Sequence, residues 1–239
     1  TSVVTVSYPH IRDRSHNVSS AITVRAALIR FPEDRRIGYI RGASDRVPEA
    51  LAGIGFPVQL LDPADLERGD LARFSTIVIG SRAYETEPAL GEINGRLLDW
   101  VRQGGHLVVQ YQQQAYFGGG YSPIPLTLAS PHDRVTDETA PVRLLDPGAR
   151  GWREPNVLTA SDWEDWIQER GLYFARTWGD AFTPLLETAD PGTPPLRGGL
   201  LLARYGQGTY LYTGLAFFRQ LPAGVPGAFR LFFNLLSLR

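Results

Sequence analysis

A serine directly follows an apolar, strand-like run in TIVIGSRAY, which spans residues 76–84. The turn after such a strand carries the nucleophile in many open α/β sheets, but a nucleophilic Ser81 would need a base within hydrogen-bond reach. Of the four histidines, His132 in a predicted loop is the one expected to reach it, with Asp133 or Glu138 as the acid. The flanking residues do not form the G-x-S-x-G elbow. Ser81 and His132 are therefore weak catalytic candidates, and a small structural residue at a crowded turn is the alternative for Ser81.

Other polar side chains follow the predicted strands at the ends where ligands of open α/β sheets bind. The ligand-binding candidates are Arg41, Asp45, Arg82, Tyr84, Gln112, Tyr116, Tyr121 and Arg219. Arg82 has two interpretations, because a guanidinium at this edge could hold a carboxylate or phosphate bidentately, or could tie loops together through acidic side chains or backbone carbonyls. We expect the structural role for Arg82.

Several kinds of chemistry are excluded by residue content. The chain has no cysteine, and all 24 basic residues are arginine, so thiolate and lysine-based catalysis are ruled out. The glycine run in FGGGY, residues 117–121, matches neither the Walker nor the dinucleotide motif. The histidines are scattered and form no metal-binding motif. We therefore predict no metal site and no cofactor. The aromatic residues of 163–178 could stack on a sugar, but at helical spacing they are more typical of a core.

Composition limits the partners that the chain can have. Its 239 residues are 43% hydrophobic and 21% charged with a formal net charge of −1, so no global field favours nucleic acid or an anionic membrane. No apolar run reaches the roughly 18–20 residues needed to span a bilayer. Methionine is absent even at position 1, so we expect a piece of a longer polypeptide. The compartment is left open, with export through an upstream signal as one alternative.

Alternating hydrophobicity predicts the elements that must position these side chains. Four parallel strands are predicted at 36–41, 57–61, 76–80 and 106–111. Helices are predicted at 47–55 (with Asp45 as N-cap), 89–103 and 161–171 (with Ser161 and Glu164 as a capping box), followed by a hairpin at 199–218 and a C-terminal apolar helix. The predicted fold is α/β, with a flavodoxin-like, mostly parallel sheet flanked by helices. Strands at 1–8 and 21–29 predict an N-terminal β-arm, or the end of a preceding domain, over residues 1–34, and the α/β domain then covers 35–239.

Several stretches taken together carry a family resemblance: IGYIRGASDRVPEAL, VIGSRAY, GGHLVVQYQ, RVTDETAPVRLLDP, ERGLYFARTW and YGQGTYLYTGLAFFRQLPAGVPGAFRLFFNLLSL. They resemble the C-terminal region of long bacterial LmbE/PIG-L-type deacetylases, over about residues 35–239. That region is similar to class I glutamine amidotransferases and ThuA-like proteins. The resemblance implies an amidotransferase-like fold, and it implies an upstream zinc-dependent N-deacetylase module of the same polypeptide as partner.

The functional residues of both families are missing from this chain. The zinc-binding His-Pro-Asp-Asp motif of the deacetylases does not occur, and the Cys-His-Glu triad of amidotransferases is replaced by Ser81 and by Leu215-Ala216-Phe217 at the late turn. We therefore expect a non-catalytic domain that assists binding of an N-acylated sugar or glycoconjugate, or assembly of the enzyme. The alternatives are an independent serine hydrolase using Ser81 and a stand-alone carbohydrate- or small-ligand-binding module.

Overall fold

A computed structural model describes residues 1–21, 24–33 and 36–238 of the chain. Its first element is an exposed antiparallel hairpin of β1 (Ser2–Tyr8) and β2 (Ile11–Val18). The first strand was predicted. The second was not, because its residues are polar and exposed, so no alternation marks it. The strand predicted at 21–29 is wrong over 24–29, which have no regular structure, while residues 22 and 23 lie outside the described residues. The domain boundary expected between 34 and 35 also lies outside them.

The first half of the main domain alternates short strands and helices. In chain order these are β3 (Ile37–Ile40), α1 (Val47–Gly53), β4 (Gln59–Leu60), α2 (Pro63–Arg68), a 3₁₀ turn (Leu71–Arg73), β5 (Thr76–Ile79), α3 (Ala83–Thr86), α4 (Ala89–Arg102), β6 (His106–Val109) and α5 (Gln114–Gly118). This order places β3 to β6 in one parallel sheet, with crossover segments between them.

The second half holds short strand pairs and then returns to the sheet. Its strands are β7 (Leu126–Thr127), β8 (Asp133–Val135), β9 (Val142–Leu144), β10 (Gly171–Phe174), β11 (Thr177–Trp178), β12 (Phe182–Pro184), β13 (Leu186–Thr188), β14 (Leu200–Tyr205) and β15 (Gly208–Thr213). Two 3₁₀ turns lie at Arg150–Trp152 and Ala160–Trp163, and the chain ends in α6 (Phe217–Gln220) and α7 (Pro226–Leu236).

Seven strands form the central sheet in the order β12-β14-β15-β6-β5-β3-β4. The five strands from β15 to β4 are parallel, while β14 and β12 continue the sheet antiparallel. The register aligns Ile79 of β5 with Val109 of β6 and with Ile40 of β3, so these three strands end at the same edge. The predicted flavodoxin-like α/β sheet is confirmed, as are its four parallel strands and the hairpin.

Helices cover both faces of the sheet. Alternate residues of the central strands point to opposite sides, and those on both sides are apolar, so each face packs against helices. Val78 and Val108 pack on one side with Phe232 of α7. Ile77 and Val109 pack on the other side with residues such as Leu97 of α4. Trp163 and Trp166, at 9% and 4% exposure, belong to the first of these cores, which favours the core interpretation of these two rings.

Two predicted helix starts differ in the structure. The N-cap of α1 is Arg46, and Asp45 instead accepts a hydrogen bond from the backbone N–H of Val47, two residues on. The helix predicted at 161–171 is a single 3₁₀ turn whose capping box is formed by Thr159 and Asp162. The first start is shifted by one residue, and α1 has no side-chain cap. The second is shifted by two residues, since several adjacent polar side chains could cap that turn.

Candidate functional site

Three loops meet where β3, β5 and β6 end. The backbone N–H of Ala43 donates to the carbonyl of Ser81 at 2.9 Å, and that of Arg82 donates to the carbonyl of Tyr111 at 2.8 Å. A Cβ atom at Gly42 would lie 1.9 Å from the Ser81 carbonyl oxygen. Only glycine allows so close an approach between the first two loops. The carboxyl edge is therefore a tightly joined set of loops.

A buried polar chain holds the first loop against the neighbouring strands. The Tyr39 hydroxyl donates to Asp45 Oδ2 at 2.7 Å and accepts from Gln110 Nε2 at 2.7 Å. Burial raises the pKa of the Asp45 carboxyl above its usual range, although hydrogen bonds from Tyr39 and Val47 oppose that effect. Asp45 is 3% exposed, so this ligand candidate already has its hydrogen bonds inside the protein.

Gln112 joins the loops after β5 and β6. Its Oε1 accepts from the backbone N–H of Tyr84 at 3.2 Å, and its Nε2 donates to the Gly80 carbonyl at 2.7 Å. The Tyr84 hydroxyl donates to Asn94 Oδ1 at 2.6 Å, and the ring of Tyr121 stacks on Tyr84 with centroids 4.7 Å apart. Gln112 and Tyr84 are thus placed as structural ties of this edge.

Three further ligand candidates also have partners within the chain. The Tyr116 hydroxyl is hydrogen-bonded to that of Tyr210 at 2.6 Å, and Tyr116 is fully buried. The Arg41 guanidinium donates to Glu49 at 2.6 Å, and that of Arg219 donates to Glu169 at 2.7 Å. We expected these two arginines to face a ligand, but each is paired with a glutamate of the chain.

Arg82 contributes its backbone more than its side chain. It lies in the left-handed region with φ 59° and ψ 27°, which costs a non-glycine residue about 1 kcal/mol. We predicted that the guanidinium of Arg82 contacts an acidic side chain or a carbonyl. For its Nε atom this prediction is wrong, because Nε is buried without a hydrogen-bond partner among the described residues. The turn geometry, fixed by the hydrogen bond to Tyr111, keeps this conformation.

The two weak catalytic candidates have different surroundings. Ser81 is 1% exposed, and within the described parts of the chain its Oγ makes no hydrogen bond. His132 stacks on Tyr173 with ring centroids 3.8 Å apart. Burial, followed by the positive charge of Arg134, lowers the pKa of His132 below its usual range. The structure therefore does not bring the base into hydrogen-bond contact with the serine.

An aromatic row that the sequence did not reveal runs along the edge. Phe218 and Tyr111 have centroids 5.4 Å apart, Tyr111 and Tyr173 are 5.3 Å apart, and His132 follows on Tyr173. The guanidinium of Arg219 covers Phe218 at 4.8 Å from its centroid. Tyr173 has a φ of 53°, an uncommon conformation for a bulky residue. These rings come from four distant segments, so no local pattern could indicate the row.

The described residues contain neither a cluster of metal-binding side chains nor a helix that could span a membrane. Over 1–21, 24–33 and 36–238, no group of three or more histidine, aspartate or glutamate side chains is placed to hold a metal ion. In the same ranges no helix has the length and apolar character to cross a bilayer.

Comparison with known proteins supports the fold. No protein-family model matches the chain, and no curated protein sequence matches it. The cytoplasmic protein STM3548 of Salmonella typhimurium is similar in structure, with a TM-score of 0.53 and 15% identity over 84% of this chain and 98% of that one. At this identity the likeness shows the fold alone.

Two other solved structures are more distant. The cytoplasmic protein STM1381 of Salmonella typhimurium LT2 has a TM-score of 0.48 and 12% identity, covering 85% of this chain and 100% of that one. A Thermoplasma acidophilum protein named for one of the subunits of GMP synthase has a TM-score of 0.49 and 10% identity, covering 86% and 94%. The resemblance to LmbE/PIG-L-type deacetylases stays a prediction, since neither a family model nor a curated sequence supports it.

Proposed function

We propose that this chain is a non-catalytic domain of a polypeptide with an LmbE/PIG-L-type deacetylase module, and that it assists binding of an N-acylated sugar or glycoconjugate. One observation carries the proposal: the side chains at the carboxyl edge bond mainly to one another. Asp45, Gln112 and Tyr84 have partners in neighbouring loops. A site for covalent chemistry instead needs a nucleophile that substrate can reach and a base beside it.

The burial of Ser81 supports the same proposal. At 1% exposure its hydroxyl cannot meet a substrate carbonyl without movement of the joined loops. The close approach of Gly42 to the Ser81 carbonyl leaves little freedom for that movement. His132, the expected base, has one ring face on Tyr173. A serine hydrolase built on this pair would need both groups to rearrange.

A kinetic comparison tests the proposal. In the longer polypeptide, removal of residues 35–239 should raise the KM for an N-acylated sugar while the kcat of the deacetylase module changes little, because the lost contacts are binding contacts. The matched control is Ser81→Ala in the intact polypeptide, which should leave both constants unchanged. Unchanged KM, kcat and stability after the removal would contradict the proposal. A hydrolytic activity abolished by Ser81→Ala would favour the hydrolase alternative instead.

A further inference from the structure

A cleft of about 820 Å³ lies beyond the last ring of the aromatic row. Its walls come from residues 129–134, 175, 176, 178, 190 and 193–197. His132 belongs both to the row and to the cleft lining, so the two features are continuous. The volume falls in the range of about 300–1,000 Å³ that is usual for small-molecule sites.

Two aromatic side chains give the cleft flat apolar surface. Trp178, half-buried, packs against the second core and lines the cleft. His132, also half-buried, is backed by Tyr173, which fixes the plane of the imidazole. The lowered pKa of His132 keeps the imidazole neutral at pH 7, so it can both donate and accept a hydrogen bond.

The charges of the cleft are unbalanced toward positive. Three arginines line it against two aspartates. Arg176 binds Asp133 through two hydrogen bonds of 2.6 Å, and Arg197 is paired with Glu187 at 2.8 Å.

The remaining arginine, Arg134, is exposed and forms no ion pair with the described residues. Burial raises the pKa of Asp190, but hydrogen bonds from Asp137 and Thr136 and, last, the charge of Arg134 bring it below its usual range. Both carboxylate oxygens of Asp190 nevertheless accept hydrogen bonds from residues 136–137, which leaves the guanidinium of Arg134 available.

We propose that this cleft binds a saccharide that carries a carboxylate. A sugar ring presents a flat C–H face that fits against Trp178 or His132, and a sugar carboxylate matches the planar guanidinium of Arg134. The choice of a saccharide rests on the proposed function, whereas the choice of a carboxylate rests on the charges of the cleft.

Calorimetric titration of the whole chain tests the proposal with three probes. These are cellobiouronic acid, cellobiose as its neutral counterpart, and acetate as a carboxylate without a sugar. We expect cellobiouronic acid to bind at least about tenfold more tightly than either of the others, the difference that one charge-assisted contact can supply. The affinity should fall as salt rises, because part of the attraction is between charges.

Matched variants locate the site. Arg134→Gln should weaken binding of cellobiouronic acid about tenfold and leave cellobiose unaffected. Arg204→Gln is the control, since Arg204 is also exposed but lies on β14 outside the cleft lining. Trp178→Ala should weaken the binding of both cellobiouronic acid and cellobiose. The circular dichroism spectrum of this variant shows whether the variant has folded.

The outcomes separate this proposal from the proposed function. Equal binding of all three probes, no binding at millimolar concentration, or full affinity in Arg134→Gln would overturn the cleft assignment. If the chain binds cellobiouronic acid but its removal leaves the kinetics of the deacetylase unchanged, the cleft assignment stands and the proposed function fails.

Discussion

Replacement of Asp45 by alanine removes the carboxylate at the centre of the buried polar chain. Two hydrogen bonds to buried donors are lost, from the Tyr39 hydroxyl at 2.7 Å and from the backbone N–H of Val47 at 3.0 Å. The Tyr39 oxygen would still accept from Gln110, but its O–H would have no acceptor. Gly42 N–H, at 3.4 Å from Asp45 Oδ2, adds little.

The expected cost follows from those two donors. Each buried donor left without a partner costs about 1–3 kcal/mol. Removal of the carboxylate returns part of this cost, because burial already opposes its charged form and raises its pKa. We therefore expect Asp45→Ala to lower the free energy of unfolding by about 2–4 kcal/mol. That is a large fraction of the roughly 5–15 kcal/mol that stabilises a typical protein.

Denaturant unfolding followed by circular dichroism measures this change, and Asp70→Ala is the matched control. Asp70 also accepts from a backbone N–H two residues on, at 2.9 Å from Ala72, but it is exposed. Because water can replace the lost bond there, the control should lose only about 1 kcal/mol. Equal losses of unfolding free energy in the two variants, at similar m-values, would show that burial does not make the hydrogen bonds of Asp45 more stabilising than the exposed bond of Asp70.

The pH dependence of the same site gives a second readout. The pKa of Asp45 is raised in the folded state. The contribution of its protonation to the free energy of unfolding is therefore fully present below the unfolded pKa and is lost as pH rises through the folded pKa. Asp45→Asn cannot ionise. The stability of the wild type relative to Asp45→Asn should therefore fall as pH rises from the unfolded value of about 3.9 through the folded pKa.

Three other perturbations test separate features of the fold. Arg82→Gly should raise the free energy of unfolding by about 1 kcal/mol, measured in urea, because glycine adopts φ 59° without strain. Phe31→Ala should lower it by about 1–2 kcal/mol, less than a fully buried phenylalanine, because Phe31 packs on Phe56 and Phe233 but is 37% exposed. Because the pKa of His132 is lowered in the folded state, its contribution to the free energy of unfolding should be fully present above about pH 6.5 and should be lost as the pH falls through the folded pKa. Thermal melts of His132→Gln should not show this decline.

The central strands were predictable because they are buried on both faces. Residues 76–79 are all buried, and the resulting continuous apolar run is typical of parallel sheets. The hairpin strand at 11–18 has the opposite character, since nearly every residue is exposed. Its pairing depends on backbone hydrogen bonds and a tight turn rather than on side-chain pattern.

The candidate site was predictable in place but not in composition. The rule that strand ends meet at one edge correctly brings Asp45, Ser81 and Gln112 together. It could not show that these groups would be joined to one another. The neighbours of His132 and Tyr111 in the aromatic row come from segments far away in the chain, so the row depends on tertiary packing alone.

Hydrogen-bond satisfaction and exposure together distinguish the two regions that border the aromatic row. At the sheet edge the unpaired atoms, such as Ser81 Oγ and Gln110 Oε1, are enclosed, so each one destabilises the folded chain and no ligand reaches it without loop movement. In the cleft the guanidinium of Arg134, which has no ion-pair partner among the described residues, is exposed to solvent, so it costs little in the absence of an anion. A group that is both unpaired and accessible can gain a partner on binding without loss of an internal one. We therefore expect ligand capture in the cleft rather than at the strand ends.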